Sequence, residues 1–299
     1  MADVNAVTRK IAEICALPRI TSRQNRHVSN CAKLTDRKHR RATGLFRFDG
    51  IKLTVEALRA NAPLQAVFLR SSDAPVLLQR IVGQVASLPS DPEYLLLEDS
   101  LFDRLSEENA PEGIICVCRQ MPLHTAPFSA NTLTPQEHIV LLEQLRDPSN
   151  LGAVIRSAAA FGVDTLIISE DCADVYHSKT VRASMGTLFS QRIIRVPDIS
   201  EVVGVLRTRG RRTLAAALDR GAMQLGSFEA RAGDCVIIGN EGHGLQQKTI
   251  AAADACVYIP MTDRAESLNA AVAAAILMWQ FRHTAKSSED TAKEGVHHV

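Results

Sequence analysis

At 299 residues and 46% hydrophobic content, the chain can bury sizeable cores, and its length implies about two domains. A net charge of +1 does not mark the whole chain as a polyanion binder. No apolar run approaches the roughly 18 residues of a membrane span and the amino terminus lacks a signal-peptide core, so the expected location is cytoplasmic.

Residues 1–20 read as a short helix that stops near Pro18, because proline cannot continue a helix interior. The polar stretch Thr21-Ser22-Arg23-Gln24-Asn25 opens a second helix. Within this region Arg19, Arg23, Arg26, Lys33, Arg37, Lys38, Arg40, Arg41 and Arg47 face a single acid, Asp36. Most charge runs are solvated helix faces, but nine cations against one anion favour a polyanion partner.

From Gly44 strand and helix patterns alternate. Strands are expected at 45–48, 64–69, 94–97 and 113–118, with helices after Gly50 and around 76–81. This is a small α/β sandwich of about 100 residues with no evident nucleophile–base pair, and it reads as a binding module. Residues 121–135 lose periodicity and collect prolines and threonines, which marks a linker; His124 within it reads as a solvated loop residue.

A second α/β unit begins at His138-Ile139-Val140-Leu141-Leu142. Its further strands are expected at 165–169, 193–196, 213–217, 236–238 and 257–259, separated by helices, which predicts a largely parallel sheet covered on both faces. The domain division is therefore 1–120, a linker over 121–135, a second domain over 136–283, and a disordered polar tail over 284–299. The last helix carries Leu268, Val272, Ile276 and Trp279 at helical spacing, and its many alanines keep it slim for close packing.

The seven cysteines are odd in number and scattered, and several sit in apolar runs. They read as reduced core residues, and Cys116-x-Cys118 has no second Cys/His pair nearby, so no metal site is expected.

Two loops of the second unit carry the functional signal. The apolar run Val236-Ile237-Ile238 empties into Gly239-Asn240-Glu241-Gly242-His243-Gly244-Leu245, where missing side chains let backbone approach a flat ligand. A dinucleotide fingerprint would need glycine where Gln247 stands, and a phosphate-binding loop would need Lys-Ser/Thr where Leu245-Gln246 stands. Both nucleotide readings fail, while a purely structural turn stays open. The second loop runs from Ile259-Pro260-Met261 to Glu266-Ser267-Leu268-Asn269.

Together with Asp147-Pro148-x-Asn150-x-Gly152-x-x-x-Arg156 and the intervening Ser178-x-x-x-x-Arg182-Ala183-Ser184-x-Gly186, these stretches resemble, in order and spacing, the motifs of the SpoU/TrmH group of SPOUT RNA 2′-O-ribose methyltransferases. Residues 135–283 carry the resemblance, and residues 25–58 are similar to the amino-terminal RNA-binding domain of many members.

The resemblance implies a carboxyl-terminal α/β domain with a deep trefoil knot, where unknotted connections would otherwise be expected. It further implies S-adenosylmethionine as cofactor and a homodimer formed through that domain. Gly239, Ile259, Met261 and Leu268 would hold the cofactor, with Ala217 and Leu218 lining the slot. Arg23, Arg26, Lys38, Arg40 and Arg41 would contact RNA, ribosomal or transfer. The second domain alone would still dimerise and bind cofactor. A non-catalytic RNA-binding relative that keeps the fold is the alternative.

Methyl transfer from a sulfonium to a hydroxyl is an in-line displacement that needs alignment and charge stabilisation. Arg156, a guanidinium that stays protonated, fits a stabiliser of developing alkoxide charge better than a base. Asn150 either caps its helix or positions the arginine, and Glu241 either orients Arg156 and the loop or is an exposed carboxylate. Ser267 and Asn269 are helix caps, contacts to cofactor or ribose, or both.

Overall fold

The computed structural model describes residues 4–286 except 86, 124–132, 135–136, 232 and 241. Most of the expected linker, His124 included, and the tail beyond Lys286 lie outside the described residues. The chain divides into two compact units, Met1–Pro122 with Asp174–Ser190, and Leu123–Ala173 with Gln191–Val299. Among the described residues no helix is long and apolar enough to cross a membrane.

The first unit is built on strands β1 (Arg19–Ile20), β2 (Leu45–Asp49), β3 (Leu64–Arg70), β4 (Glu93–Leu97) and β5 (Ile114–Arg119). Their order is β1-β4-β3-β5-β2, with β5 antiparallel to both neighbours and the other pairs parallel. Helices α1 (Val4–Cys15), α2 (Arg26–Lys33), α3 (Arg37–Thr43), α4 (Ile51–Arg59), α5 (Ala74–Val82) and α6 (Asp99–Leu105) complete it. Phe68, Leu97, Leu101, Phe102 and Ile115 are fully buried between sheet and helices. Each such side chain contributes about 1.5–3 kcal/mol relative to exposure.

The basic stretch is two helices rather than one. Asn25 caps α2 by accepting from the His27 N–H at 2.9 Å, and Asp36 caps α3 by accepting from the Lys38 N–H at 2.9 Å. The lone acid of the region is thus a helix cap. Gly44, at φ 66°, then turns the chain into β2 in a left-handed conformation that suits glycine.

In the second unit the strands are β6 (Ile139–Leu142), β7 (Thr165–Ser169), β8 (Arg192–Val196), β9 (Thr213–Ala216), β10 (Met223–Gln224), β11 (Cys235–Ile238) and β12 (Ala255–Tyr258). All pair in parallel, in the order β10-β12-β9-β11-β6-β7-β8. Helices α7 (Pro148–Ala160), α8 (Ser178–Ala183), α9 (Ile199–Thr208), α10 (Gln247–Ala252) and α11 (Ala270–Lys286) connect or follow the strands. Strands covered on both faces must be apolar on both, which explains the unbroken run Ile139-Val140-Leu141-Leu142, each wholly buried. The seven cysteines are unbridged, and five are buried.

Besides the divided basic helix and the short strands β1 and β10, which lie outside the expected strands, three features depart from the sequence reading. Residues 174–190, with α8, pack in the first unit although the chain around them belongs to the second. Asp174 there pairs with Arg40 at 2.7 Å, and the Tyr176 ring lies 4.7 Å from that of Phe46. Helix α11 starts at Ala270 rather than Leu268 and runs to Lys286, past the expected start of the tail. Its buried residues are Ala270, Ala271, Ala274, Leu277, Met278 and Phe281, whereas Val272 and Trp279, expected on the packing stripe, are 48% and 50% exposed. A helix apolar around most of its circumference cannot be phased by spacing alone.

Candidate functional site

Strands β12, β9 and β11 are adjacent and parallel, so their carboxyl ends open at the same edge of the sheet. A cavity of about 600 Å³ lies there. Ala216, Ile238 and Tyr258, the last residues of the three strands, line it, as do the two loops singled out in the sequence. Ligands of open parallel sheets bind in this position, where loops diverge from the strand ends.

All six residues expected to hold a cofactor, Ala217, Leu218, Gly239, Ile259, Met261 and Leu268, line this one slot, and Ser267 joins them. Leu218 and Met261 stand 78% and 40% exposed. Apolar side chains so placed at a concave mouth are surface that a bound ligand would cover. Among the described lining residues there is no Lys or Arg, and Glu266 is the carboxylate. The donor set therefore lacks the charge that holds phosphate and accommodates a cation.

The first loop closes on itself. Asn240 and Gly244 exchange backbone hydrogen bonds of 2.9 and 3.0 Å, with Gly244 at φ 68°. The Asn240 Oδ1 accepts from the N–H groups of Gly242 and His243 at 2.8 and 3.1 Å, and its Nδ2 donates to the Gln144 carbonyl at 2.8 Å. A Cβ at Gly239 would fall 2.4 Å from the Gly244 carbonyl carbon and 2.5 Å from the Leu245 nitrogen. The glycine is thus required first by the loop's own backbone, not by the approach of a ligand as the sequence implied.

Glu143, immediately after β6, fastens the far end of this loop. Only 2% exposed, it accepts from the Gln246 N–H at 2.7 Å and from Thr249 Oγ1 at 2.5 Å. A carboxylate at the first turn of α10 also complements the positive end of the helix. Asn240 and Glu143 are site residues that the sequence reading did not select. Asn240 stood inside a quoted motif, while Glu143 looked like any acid at the end of a strand.

The second loop meets the start of α7. Asn269 caps α11, its Oδ1 accepting from the Ala271 and Val272 N–H groups at 2.9 and 3.3 Å, and its Nδ2 donates to Asn150 Oδ1 at 2.9 Å. The cap of α7 is Asp147, which accepts from the Asn150 N–H at 2.8 Å, so Asn150 is released from capping and joins two helix starts. Ser267 lies before the cap and is not one.

Arg156 lies six residues along α7 from Asn150, about 9 Å by helical rise. It is exposed, makes no hydrogen bond or ion pair with a described residue, and does not line the slot. Glu241 lies outside the described residues.

In the first unit Arg23, Arg26, Lys38 and Arg41 are exposed, as RNA contacts must be. Arg40 is 2% exposed and is a correction to that set. Its guanidinium donates to Asp174 at 2.7 Å and to the carbonyls of Leu34 and Thr35 at 2.8 and 2.7 Å. Arg47, 3% exposed, is likewise occupied by Asp49 and the Leu105 carbonyl. Burial with paired terminal nitrogens marks both as structural cations, although the buried Arg47 Nε finds no partner among the described residues.

Residues 137–279 match the SpoU rRNA Methylase family, and residues 25–116 match the MRM3-like substrate binding domain. The chain is 30% identical over 273 residues to the 23S rRNA (guanosine(2553)-2′-O)-methyltransferase RlmP of Bacillus subtilis, spanning 89% of this chain and 100% of that one. It is 30% identical to the 23S rRNA (uridine(2479)-2′-O)-methyltransferase of Streptomyces viridochromogenes, over 89% and 92% of the two chains. The AdoMet-bound rRNA methyltransferase from Sinorhizobium meliloti superposes with a TM-score of 0.75 at 26% identity, covering 89% of this chain and 97% of that one. With both units matched and the motif residues gathered about one slot, the chain belongs to the SpoU rRNA methylase family.

Proposed function

We propose that this protein transfers a methyl group from S-adenosylmethionine to a ribose 2′-hydroxyl of RNA, with ribosomal RNA as the substrate class. The observation that carries the proposal is the slot itself: apolar walls and loop backbone at three strand ends, with no Lys or Arg among its described lining residues. Such a slot suits a flat, cationic cofactor and opposes a phosphate-bearing one. The relatives named for this reaction and the cofactor-bound neighbour support the enzyme over the non-catalytic alternative.

Ala217, Leu218, Gly239, Ile259, Met261 and Leu268 would hold the cofactor, and bound there it supplies an electrophilic methyl carbon. Asn240 and Glu143 keep the first loop in place, and the Asn150–Asn269 bridge keeps the starts of α7 and α11 in register. Loops so fastened lower the reorganisation needed to align the ribose. Arg156 stabilises negative charge on the 2′-oxygen as its proton leaves, and Ser267 and Glu241 contribute contacts around that centre.

The first unit carries substrate recognition through Arg23, Arg26, Lys38 and Arg41. A homodimer forms through the second unit, supported by the half-exposed Val272 and Trp279 on α11. The knotted carboxyl end and a cytoplasmic location follow from the family reading.

Titration calorimetry with S-adenosylmethionine, followed by methyl transfer from labelled cofactor to purified ribosomal RNA and mapping of the 2′-O-methyl position, tests the proposal. Cofactor binding with one methylated ribose is expected. A chain that binds no cofactor, or that labels bases rather than ribose, would refute it.

A further inference from the structure

Helices α2 and α6 of the first unit enclose a second cleft, of about 340 Å³, that shares no lining residue with the slot. Its floor is apolar: Val28, Leu101 and Leu105 line it and are each less than 8% exposed. Its rim is cationic. Arg23, Lys33 and Arg104 line it, all three exposed, and no acidic side chain joins them among the described lining residues. Arg104 donates to Ser100 Oγ at 3.1 Å, while the side chains of Arg23 and Lys33 make no hydrogen bond or ion pair with a described residue.

We infer that this cleft takes one unpaired nucleotide of the substrate RNA, its base against the apolar floor and its phosphates against the cationic rim. The chemistry separates this from simple backbone attraction. A phosphate surface needs only the cations, and a duplex buries its bases and presents a backbone too broad to enter a concavity of this size. An apolar floor beneath guanidinium groups suits a splayed base, which can lie flat on aliphatic carbon and stack against an arginine plane. The volume is at the lower end of the range for small-ligand sites. Arg26, on the same helix α2, is also exposed.

This inference rests on the RNA methyltransferase reading, and the test keeps the two apart. The probes are a fluorescein-labelled single-stranded decamer of uridines and a ten-base-pair RNA duplex, titrated against the full chain by anisotropy at several salt concentrations. The variants are the triple Arg23→Ala/Lys33→Ala/Arg104→Ala, which removes the rim, and Ala32→Phe, which fills the cleft from an exposed position on α2.

The triple variant is expected to lose at least about tenfold in decamer affinity and to flatten the salt slope by about 2, near 0.7 for each lost contact. Ala32→Phe is expected to weaken the decamer by a similar factor and leave the duplex unchanged. Decamer binding as in the parent protein for both variants would overturn the proposal. So would equal losses on decamer and duplex with Ala32→Phe, or a decaglutamate peptide that binds the cleft more tightly than the decamer. Calorimetry with S-adenosylmethionine runs alongside: its loss in the parent protein defeats the methyltransferase reading, whereas intact cofactor binding with an inert cleft defeats this inference alone.

Discussion

Arg40 and Arg41 are neighbours of one residue type, and replacing each with alanine should have opposite consequences. Arg40→Ala removes two donors to Asp174, at 2.7 and 3.2 Å, and two to backbone carbonyls, and it leaves the Asp174 carboxylate without its cation. Removing one partner of a buried pair costs about 3–5 kcal/mol, mostly because the other charge stays desolvated. The Asp174 side chain is 17% exposed and regains some water, so the lower end applies, about 3 kcal/mol or roughly two decades in the folding equilibrium. Trp279, the single tryptophan, belongs to the second unit, so its fluorescence is the wrong probe. Hydrogen exchange over residues 34–44 and 174–190, with urea titration by circular dichroism, reads the first unit directly.

The pH dependence has a definite sign. Burial pushes the Asp174 pKa up, but the Arg40 hydrogen bond, the Tyr176 backbone N–H and the charges of Arg40 and Arg37 outweigh it and hold the pKa below the usual carboxylate range. The pair's contribution is therefore complete above the unfolded value of about 3.9 and is lost as pH falls through the folded value. The gap between parent and Arg40→Ala should close under acid. Arg40→Met with Asp174→Asn should recover part of the loss, since that pair removes both charges while Asn keeps an acceptor for Tyr176. An Arg40→Ala protein as stable as the parent, with an RNA salt slope flattened as in Arg41→Ala, would refute the reasoning.

Gly239→Ala should weaken S-adenosylmethionine binding at least about tenfold by calorimetry, because even one methyl meets the Gly244–Leu245 backbone; unchanged affinity would show that the loop yields without cost. Arg156→Ala should leave cofactor affinity intact and slow methyl transfer about a hundredfold, with poor rescue by Arg156→Lys, and near-normal single-turnover rates would remove Arg156 from the chemistry. A fragment of residues 130–299 should not behave as the self-sufficient cofactor-binding dimer that the motif positions imply. It leaves Tyr176, Phe189 and Asp174 without the first-unit partners that bury them, so light scattering should show self-association, and a monodisperse fragment with full cofactor affinity would contradict this.

The longer strands of both units could be read from the sequence because each is an apolar run bounded by turn residues, whereas the two-residue strands β1 and β10 carry no such run and were not foreseen. The two loops at the slot stood out for a related reason, since their glycines, Pro260 and asparagines are chemically unusual wherever they fold, while the choice of six cofactor residues rested on the family resemblance. What the tertiary structure decided are matters of phase and distant partnership. Whether a cation in a basic helix faces solvent depends on helical phase, and Asp174, 134 residues away, pairs with Arg40 as a buried ion while the adjacent Arg41 stays exposed. Glu143 becomes the anchor of a loop 103 residues distant through two hydrogen bonds that no local pattern announces. Residues 174–190 show no compositional break from the chain around them, yet an ion pair and three aromatic contacts assign them to the first unit. Local propensity and burial pattern act over a few residues and survive in the sequence, whereas a hydrogen bond or ring contact between distant segments exists only once the fold has set both partners within a few ångströms.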